Sequence, residues 1–399
     1  MTNQEYHNID KKNYLPTFKR FPIAFKEGKG SRLWDVEGKE YIDMLAGIAV
    51  NSVGHCHPHV VKAICEQAGK LIHISNFFVS PSQVNLSEKL VSLSALDKVF
   101  FCNSGAEAVE GSIKIARKYA SKNGRGGTVI SMENSFHGRT LATIATGKKK
   151  YQNGFSPIPG GFMSVPFNDL EAVKEKLSNE VAAILIEPIQ GEGGINLADP
   201  EYLQALRNLC DQNNILLIFD EVQCGIGRTG QWFAKDHYKV QPDIMALAKG
   251  LGGGMPIGAF LCNNKVGEAI DFGDHGTTFG GNPLASAASL ATIEVIENEN
   301  LCREALENGN WLMSEFKKMQ DRFSCIKDVR GLGLMVGIEM DKPAASIVKE
   351  LLEQGVIANV TADTVLRFVP PLNIGKEDLQ KVLKLTEDCI RKFETENVR

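Results

Sequence analysis

What most constrains the fold is the middle of the chain, where short, almost wholly apolar runs alternate with amphipathic helical stretches. "KVFFCNSG" (98–105) reads as a strand, and "AEAVEGSIKIARKYASKNG" after it as a helix closed by glycine. "GTVISMENSFHG", "VAAILIEPIQGEGG" (181–194), "ILLIFDEVQ" and "PDIMALAKGLGGG" are further apolar runs ending in polar residues, and "PEYLQALRNLCDQNN" is a helix opened by proline. An unbroken Ile/Leu/Val run has no polar face to give to water. Runs of that kind alternating with helices predict a parallel sheet covered on both faces, hence an α/β fold. Ligands of such sheets sit at the carboxyl ends of the strands, so the polar residues just after each run are the ones to follow. The tail differs. "IKDVRGLGLMVGIEM" and "VLRFVPPLNI" look like short strands between helices, which predicts a smaller α+β unit. The expected division is an N-terminal segment, 1–45, packing with a C-terminal small domain, 291–399, around a large domain, 46–290.

Within "IMALAKGLGGGMPIG" (244–258), Lys249 stands alone among apolar residues and glycines. A buried ammonium is costly unless paired or neutralised, and a neutral lysine amine is a nucleophile for carbonyls such as the aldehyde of pyridoxal phosphate. The alternative is a surface lysine on a glycine-rich loop. Pyridoxal phosphate (PLP) also demands a carboxylate for its pyridine nitrogen, donors for its phosphate and an aromatic face for its ring. Asp220, closing "ILLIFD", suits the nitrogen, though it also reads as a helix cap. Ser104, Gly105 and Ala106 in "NSGAEA" fall at a helix N-terminus, where free amides and the helix dipole favour a phosphate; an ordinary N-cap is the alternative. Phe136 in "SFHGRT" is placed to cover a ring, or to sit in a core. Arg139 offers a fork suited to a carboxylate. Taken together in one parallel-sheet unit, these residues favour PLP over other cofactors.

Other motifs point elsewhere and fall short. "GIGRTG" (225–230) matches a dinucleotide loop, but "QWFAKDHY" follows it in place of the helix that motif must open. "HCHPH" (55–59) suggests a metal, yet no second cluster completes a ligand set, and Pro58 reads as a helix start. Nine scattered cysteines without a CxxC read as reduced thiols of a cytoplasmic protein. A net charge of −4 argues against general nucleic-acid binding, no apolar run reaches membrane-spanning length, and the polar start carries no signal core.

"LLIFDEVQCGIGRTG" with Lys249 19 residues beyond its last glycine, "GSRLWDVEGKEYIDMLAGIAVNSVGHCHP", "FCNSGAEAVE", "SFHGRTLAT", "HGTTFGGNPLA" and "VRGLGLMVGIE" together resemble the class III, fold-type I, PLP-dependent aminotransferases that act on ω-amines. The resemblance runs nearly the whole length. It implies that Lys249 carries the cofactor as a Schiff base and shuttles the proton, that Asp220 pairs with the pyridine nitrogen and Gln223 with the ring oxygen, and that Phe136 stacks on the ring. Gly105 and Ala106 would bind the phosphate together with the partner subunit's Thr278, which implies a homodimer with interfacial active sites. Arg139 and Arg367 match the family's sites for the two carboxylates of 2-oxoglutarate, and Glu192 matches the glutamate that neutralises Arg367 when a monocarboxylate donor binds. Ile48 stands where family members acting on free ornithine have tyrosine. The implied reaction moves the ω-amine of N2-acetylornithine to 2-oxoglutarate, a step of arginine metabolism. 4-Aminobutyrate, ornithine or succinyl-diaminopimelate as donor, an aminomutase of the same fold, or a non-catalytic binding protein remain as alternatives.

Overall fold

The computed structural model describes residues 1–396. Its centre is a seven-stranded sheet in the order Lys98–Cys102, Gly258–Cys262, Ile244–Leu247, Leu216–Asp220, Val181–Ile186, Thr128–Met132, Phe162–Val165. The four strands formed by "VAAILI", "LLIFD", "IMAL" and "GAFLC" are buried at every position, as their apolar sequences require. Alternate residues serve opposite faces. Ala183, Leu185, Leu216 and Ile218 meet the Gly105–Lys122 helix, which buries Ala108, Val109, Ile113 and Ala116. Ile184, Ile186, Leu217 and Phe219 meet the Pro200–Asn213 helix through Leu203 and Leu206. Each such fully buried aliphatic side chain contributes about 1.5–3 kcal/mol by leaving water.

The sheet is parallel except at Gly258–Cys262, which runs antiparallel to both neighbours. The reason is chain length. Only residues 248–257 separate it from Ile244–Leu247, and a parallel return needs a crossover of a dozen residues or more. The glycine-rich loop bearing Lys249 therefore turns the chain straight back.

The two chain ends pack together. Phe25–Lys29, Arg32–Asp35 and Glu40–Asp43 form a sheet that Val356–Ile357 completes in parallel, with Ile42 N–H donating to Gly355 O at 2.8 Å. "IKDVRGLGLMVGIEM" becomes a hairpin, Ile326–Leu332 and Met335–Met340, turning at Gly333 (φ +55°). Val365–Phe368 and Asn359–Thr361 extend it into an antiparallel sheet backed by the Leu301–Gln320 helix. The sequence division at 290/291 falls inside the Pro283–Asn298 helix, which packs along Pro58–Ala68 and Pro81–Ser94.

Candidate active site

The carboxyl ends of the central strands converge on a cavity of about 460 Å³ lined by Gly105, Ala106, Phe136, Arg139, Asp220 and Lys249, with Ser104, Gln223 and Val50 at its wall. A wider groove of about 1010 Å³ lies between Asn134, Asn168 and Lys317. Its volume is larger, but it does not contain Lys249 or Asp220, so the smaller cavity is the candidate site.

Lys249 opens the loop after Ile244–Leu247 with a left-handed backbone (φ +45°). Burial pushes its amine down to about 8, Glu192 opposes this, Arg367 adds to it, and Asp220 opposes it. A usable fraction is thus free amine near neutral pH. Asp220 ends its strand with both oxygens engaged: Oδ1 accepts from Val222 N–H at 3.0 Å, and Oδ2 lies 2.7 Å from His137 Nδ1. Burial disfavours the His137 imidazolium, but the hydrogen bond and charge of Asp220 outweigh it and raise the pKa above the ordinary value. The hydrogen bond from His137 therefore fixes the orientation of the Asp220 carboxylate. His137 Nε2 is buried without a partner.

Glu187 follows Val181–Ile186 directly. Its Oε2 accepts from Phe136 N–H at 3.0 Å and its Oε1 from Gly191 N–H at 3.3 Å, tying the Phe136 loop to the Glu192 loop. Burial lifts its carboxyl to about 7, His137 opposing and Asp220 adding. Neither His137 nor Glu187 figures in the sequence reading. The signal was present: one sits inside "SFHGRT", the other is the first residue past a strand end.

Ser104 caps the Gly105–Lys122 helix, accepting from Glu107 N–H at 3.2 Å, while Glu107 reaches back to Asn103 N–H at 2.8 Å. The capping reading of Ser104 is thus realised. The Gly105 and Ala106 amides belong to the first turn, which has no intrahelical acceptors and favours an anion.

Behind the cavity, Arg367 is fully buried and donates to Glu192 Oε1, to Gln223 Oε1 at 3.1 Å and to Asn359 Oδ1 at 3.1 Å. Burial would raise the Glu192 carboxyl, but Arg367 holds it below the usual carboxylate range. The Glu192 carbonyl accepts from Lys148 Nζ at 2.7 Å and Thr361 Oγ1 at 2.6 Å, so its main chain is pinned independently of the side chain's pairing with Arg367. Arg139 is exposed and has no carboxylate partner among the described residues; its Cζ lies 3.8 Å over the Tyr151 ring and 5.3 Å over Phe136.

Four of the sequence candidates lie outside the cavity wall. Glu192 and Arg367 sit behind Gln223, and Thr278 lines a different cavity beside His73, Asn76 and Gln83. Ile48 lies on a turn in which Ala46, Gly47, Ile48 and Ala49 have φ of +50°, +64°, +67° and +59°. This is one turn of left-handed helix, a geometry costing roughly 1–2 kcal/mol per residue.

The decoy motifs have structural uses. Arg228 of "GIGRTG" is buried and donates to the Leu334 and Pro370 carbonyls. His55, His57 and His59 of "HCHPH" pair separately with Asp43, Glu299 and Glu294. Burial pushes the Cys224 thiol well above its ordinary range.

A desolvated amine, a histidine-backed aspartate at its side and a helix N-terminus in one cavity fit pyridoxal 5'-phosphate: aldehyde, pyridine nitrogen and phosphate each find a partner. Residues 14–390 match the class-III aminotransferase family model. The chain is 54% identical over 391 residues to an acetylornithine aminotransferase of Methanocaldococcus jannaschii, covering 97% of this chain and 98% of that protein. Among solved structures it resembles the ornithine aminotransferase of Toxoplasma gondii ME49 (TM-score 0.96, 34% identity, 99% and 96% of the chains) and the acetylornithine aminotransferase of Elizabethkingia anophelis (TM-score 0.88, 36% identity, 98% and 100%).

Proposed function

This chain belongs to the class-III aminotransferases, PLP enzymes of the α/β fold, and on that premise we propose that it transfers the ω-amine of N2-acetylornithine to 2-oxoglutarate, giving N-acetylglutamate 5-semialdehyde and glutamate. The observation carrying the pairing of a monocarboxylate donor with a dicarboxylate acceptor is the pair of arginines in unequal states, and the likeness to acetylornithine aminotransferases supports N2-acetylornithine as that donor. Arg139 is open to the cavity, while Arg367 is already neutralised by Glu192. A donor with one carboxylate needs one cation, and a dicarboxylate acceptor needs two. Turning Glu192 aside on its pinned main chain exposes the second.

When bound, the cofactor supplies an electron sink that makes the proton on the amine-bearing carbon removable. Lys249, as the free amine, holds and moves that proton at Nζ. Asp220 would pair with the pyridine nitrogen and keep it protonated, and the His137 hydrogen bond holds Asp220 aligned for this. Phe136 would cover the ring, Gly105 and Ala106 would receive the phosphate, and Gln223, which lines the cavity beside Arg367, would meet the ring oxygen.

The proposal includes a homodimer in which the partner's Thr278 completes the phosphate site. An exposed apolar face supports it: Phe77 is 94% and Val79 81% exposed, with Phe78 and Ile72 nearby in sequence and the Phe279 ring 5.2 Å from that of His73. A cytoplasmic location accords with nine unpaired thiols, and among the described residues no helix is long and apolar enough to cross a membrane. Free ornithine is the second reading, favoured by the likeness to the Toxoplasma gondii enzyme and weakened by the aliphatic Ile48.

Glutamate formation from 2-oxoglutarate, measured side by side with N-acetylornithine, ornithine and 4-aminobutyrate, tests this. N-acetylornithine is expected to lead by tenfold or more in kcat/KM. A lead for either other amine would overturn the substrate and leave the family standing.

A further inference from the structure

We infer that Asp43 and His55 are positioning residues for the amine donor, because they hold the left-handed turn that carries Ile48 and sets Val50, two residues on, in the cavity wall. The inference rests on the ω-amine reading of that cavity. A run of four positive-φ residues, three of them with a Cβ and one β-branched, does not sustain itself. Asp43 supplies the restraint. Its carboxylate is buried; Oδ1 accepts from Leu45 N–H at 2.9 Å and Ala46 N–H at 2.8 Å, and Oδ2 meets His55 Nε2 at 2.7 Å. His55 is itself fixed to the N-terminal sheet segment, its N–H donating to Gly30 O at 2.8 Å and its carbonyl accepting from Gly30 N–H at 3.0 Å. The turn then closes on itself through Val50 N–H and Asn51 N–H, both donating to Ala46 O, at 2.8 and 2.9 Å.

What the turn touches gives it a role beyond stability. Val369 N–H, two residues past Arg367, donates to Met44 O at 2.8 Å, and Leu372 N–H donates to Ser52 O at 2.8 Å. On the other side Gly250, next to Lys249, lies so close that a Cβ there would stand 2.5 Å from Ser52 Oγ. The turn is thus wedged between the Lys249 loop and the strand end carrying Arg367. Val50 reaches the cavity wall, while Ile48 is held out with 36% of its surface exposed. A β-branched apolar residue kept in a strained backbone and out of the core is not placed for packing. Strain retained next to a reacting lysine marks a functional constraint. His55, the first histidine of "HCHPH", thereby gains a use that metal chemistry did not give it.

The test separates the two halves of the reaction in the PLP-loaded enzyme. Asp43→Ala should raise the KM for N-acetylornithine at least tenfold with kcat within threefold, and lower the preference for N-acetylornithine over ornithine at least fivefold. The glutamate half-reaction, which reads Arg139 and Arg367, should stay within threefold. Asp43→Asn, which keeps an acceptor for Leu45 and Ala46, should restore the donor KM to within threefold. Where Asp43→Ala fails to fold, His55→Ala against His55→Gln makes the same comparison. Equal losses in both half-reactions, an unchanged donor preference, or Asp43→Asn behaving as Asp43→Ala would overturn the inference. If the unsubstituted enzyme prefers another ω-amine, the substrate proposal fails alone. The same KM split measured with that amine then decides the positioning role.

Discussion

Replacing Glu192 by glutamine keeps the side chain's length and one acceptor oxygen but removes the charge that answers Arg367. Removing one partner of a fully buried ion pair costs about 3–5 kcal/mol. Here the figure must be lowered. Arg367 is completely buried, but the Glu192 side chain is 24% exposed, and Asn359 and Gln223 still accept from the guanidinium. About 1–3 kcal/mol is left. That loss falls on the closed state, in which Glu192 covers Arg367, and not on the state in which a second carboxylate of the substrate replaces it. The substitution should therefore favour glutamate and 2-oxoglutarate over the monocarboxylate donor. At 1.4 kcal/mol per tenfold, the shift in relative kcat/KM is about 5- to 140-fold. The assay is the loss of PLP absorption in single half-reactions, with N-acetylornithine and with glutamate in parallel. An equal fall in both would mean that Glu192 supports the fold and does not switch charge, and the two-state reading of the arginines would be wrong.

Lys249→Ala should lower turnover at least a thousandfold, within the range expected for losing a positioned proton carrier, while far-ultraviolet circular dichroism stays unchanged. In the apoprotein the Lys249 amine, pushed down to about 8, binds fewer protons than in the unfolded chain between about pH 8 and the ordinary lysine value near 10.4. Its contribution to stability should therefore rise with pH across that window, a slope that denaturant titrations at several pH values should lose in Lys249→Ala. Arg228→Leu leaves the Leu334 and Pro370 carbonyls without a donor, a loss of about 1–3 kcal/mol for each buried group, to be read from urea unfolding of the holoenzyme. Tyr151→Ala removes the ring under Arg139, and a cation–π contact of about 0.5–1 kcal/mol at an exposed site predicts a two- to fivefold rise in KM for 2-oxoglutarate that Tyr151→Phe should not show.

The central sheet was legible because hydrophobic continuity is a local property. A run such as "VAAILI" admits few environments, and the sequence places Lys249, Asp220 and the Gly105 turn at strand ends without any knowledge of contacts. What was not legible depends on distant pairing. The antiparallel turn of Gly258–Cys262 follows from loop length, not from its residues. His137 and Glu187 look like ordinary polar residues until folding places one against Asp220 and the other between two loops. Arg228 sits in a motif that resembles a nucleotide loop, and only tertiary structure shows it donating to carbonyls more than a hundred residues away. The left-handed turn at Ile48 has one glycine in four residues and so carries little local signature; its cause is the Asp43 carboxylate.

The central claim is that the cavity at Lys249 is where the chemistry occurs. The most direct test is reduction of the PLP-loaded protein with borohydride, followed by digestion and mass spectrometry. The account predicts one stoichiometric pyridoxyl-phosphate adduct, on Lys249. An adduct spread over several surface lysines, or concentrated on another one, would contradict it.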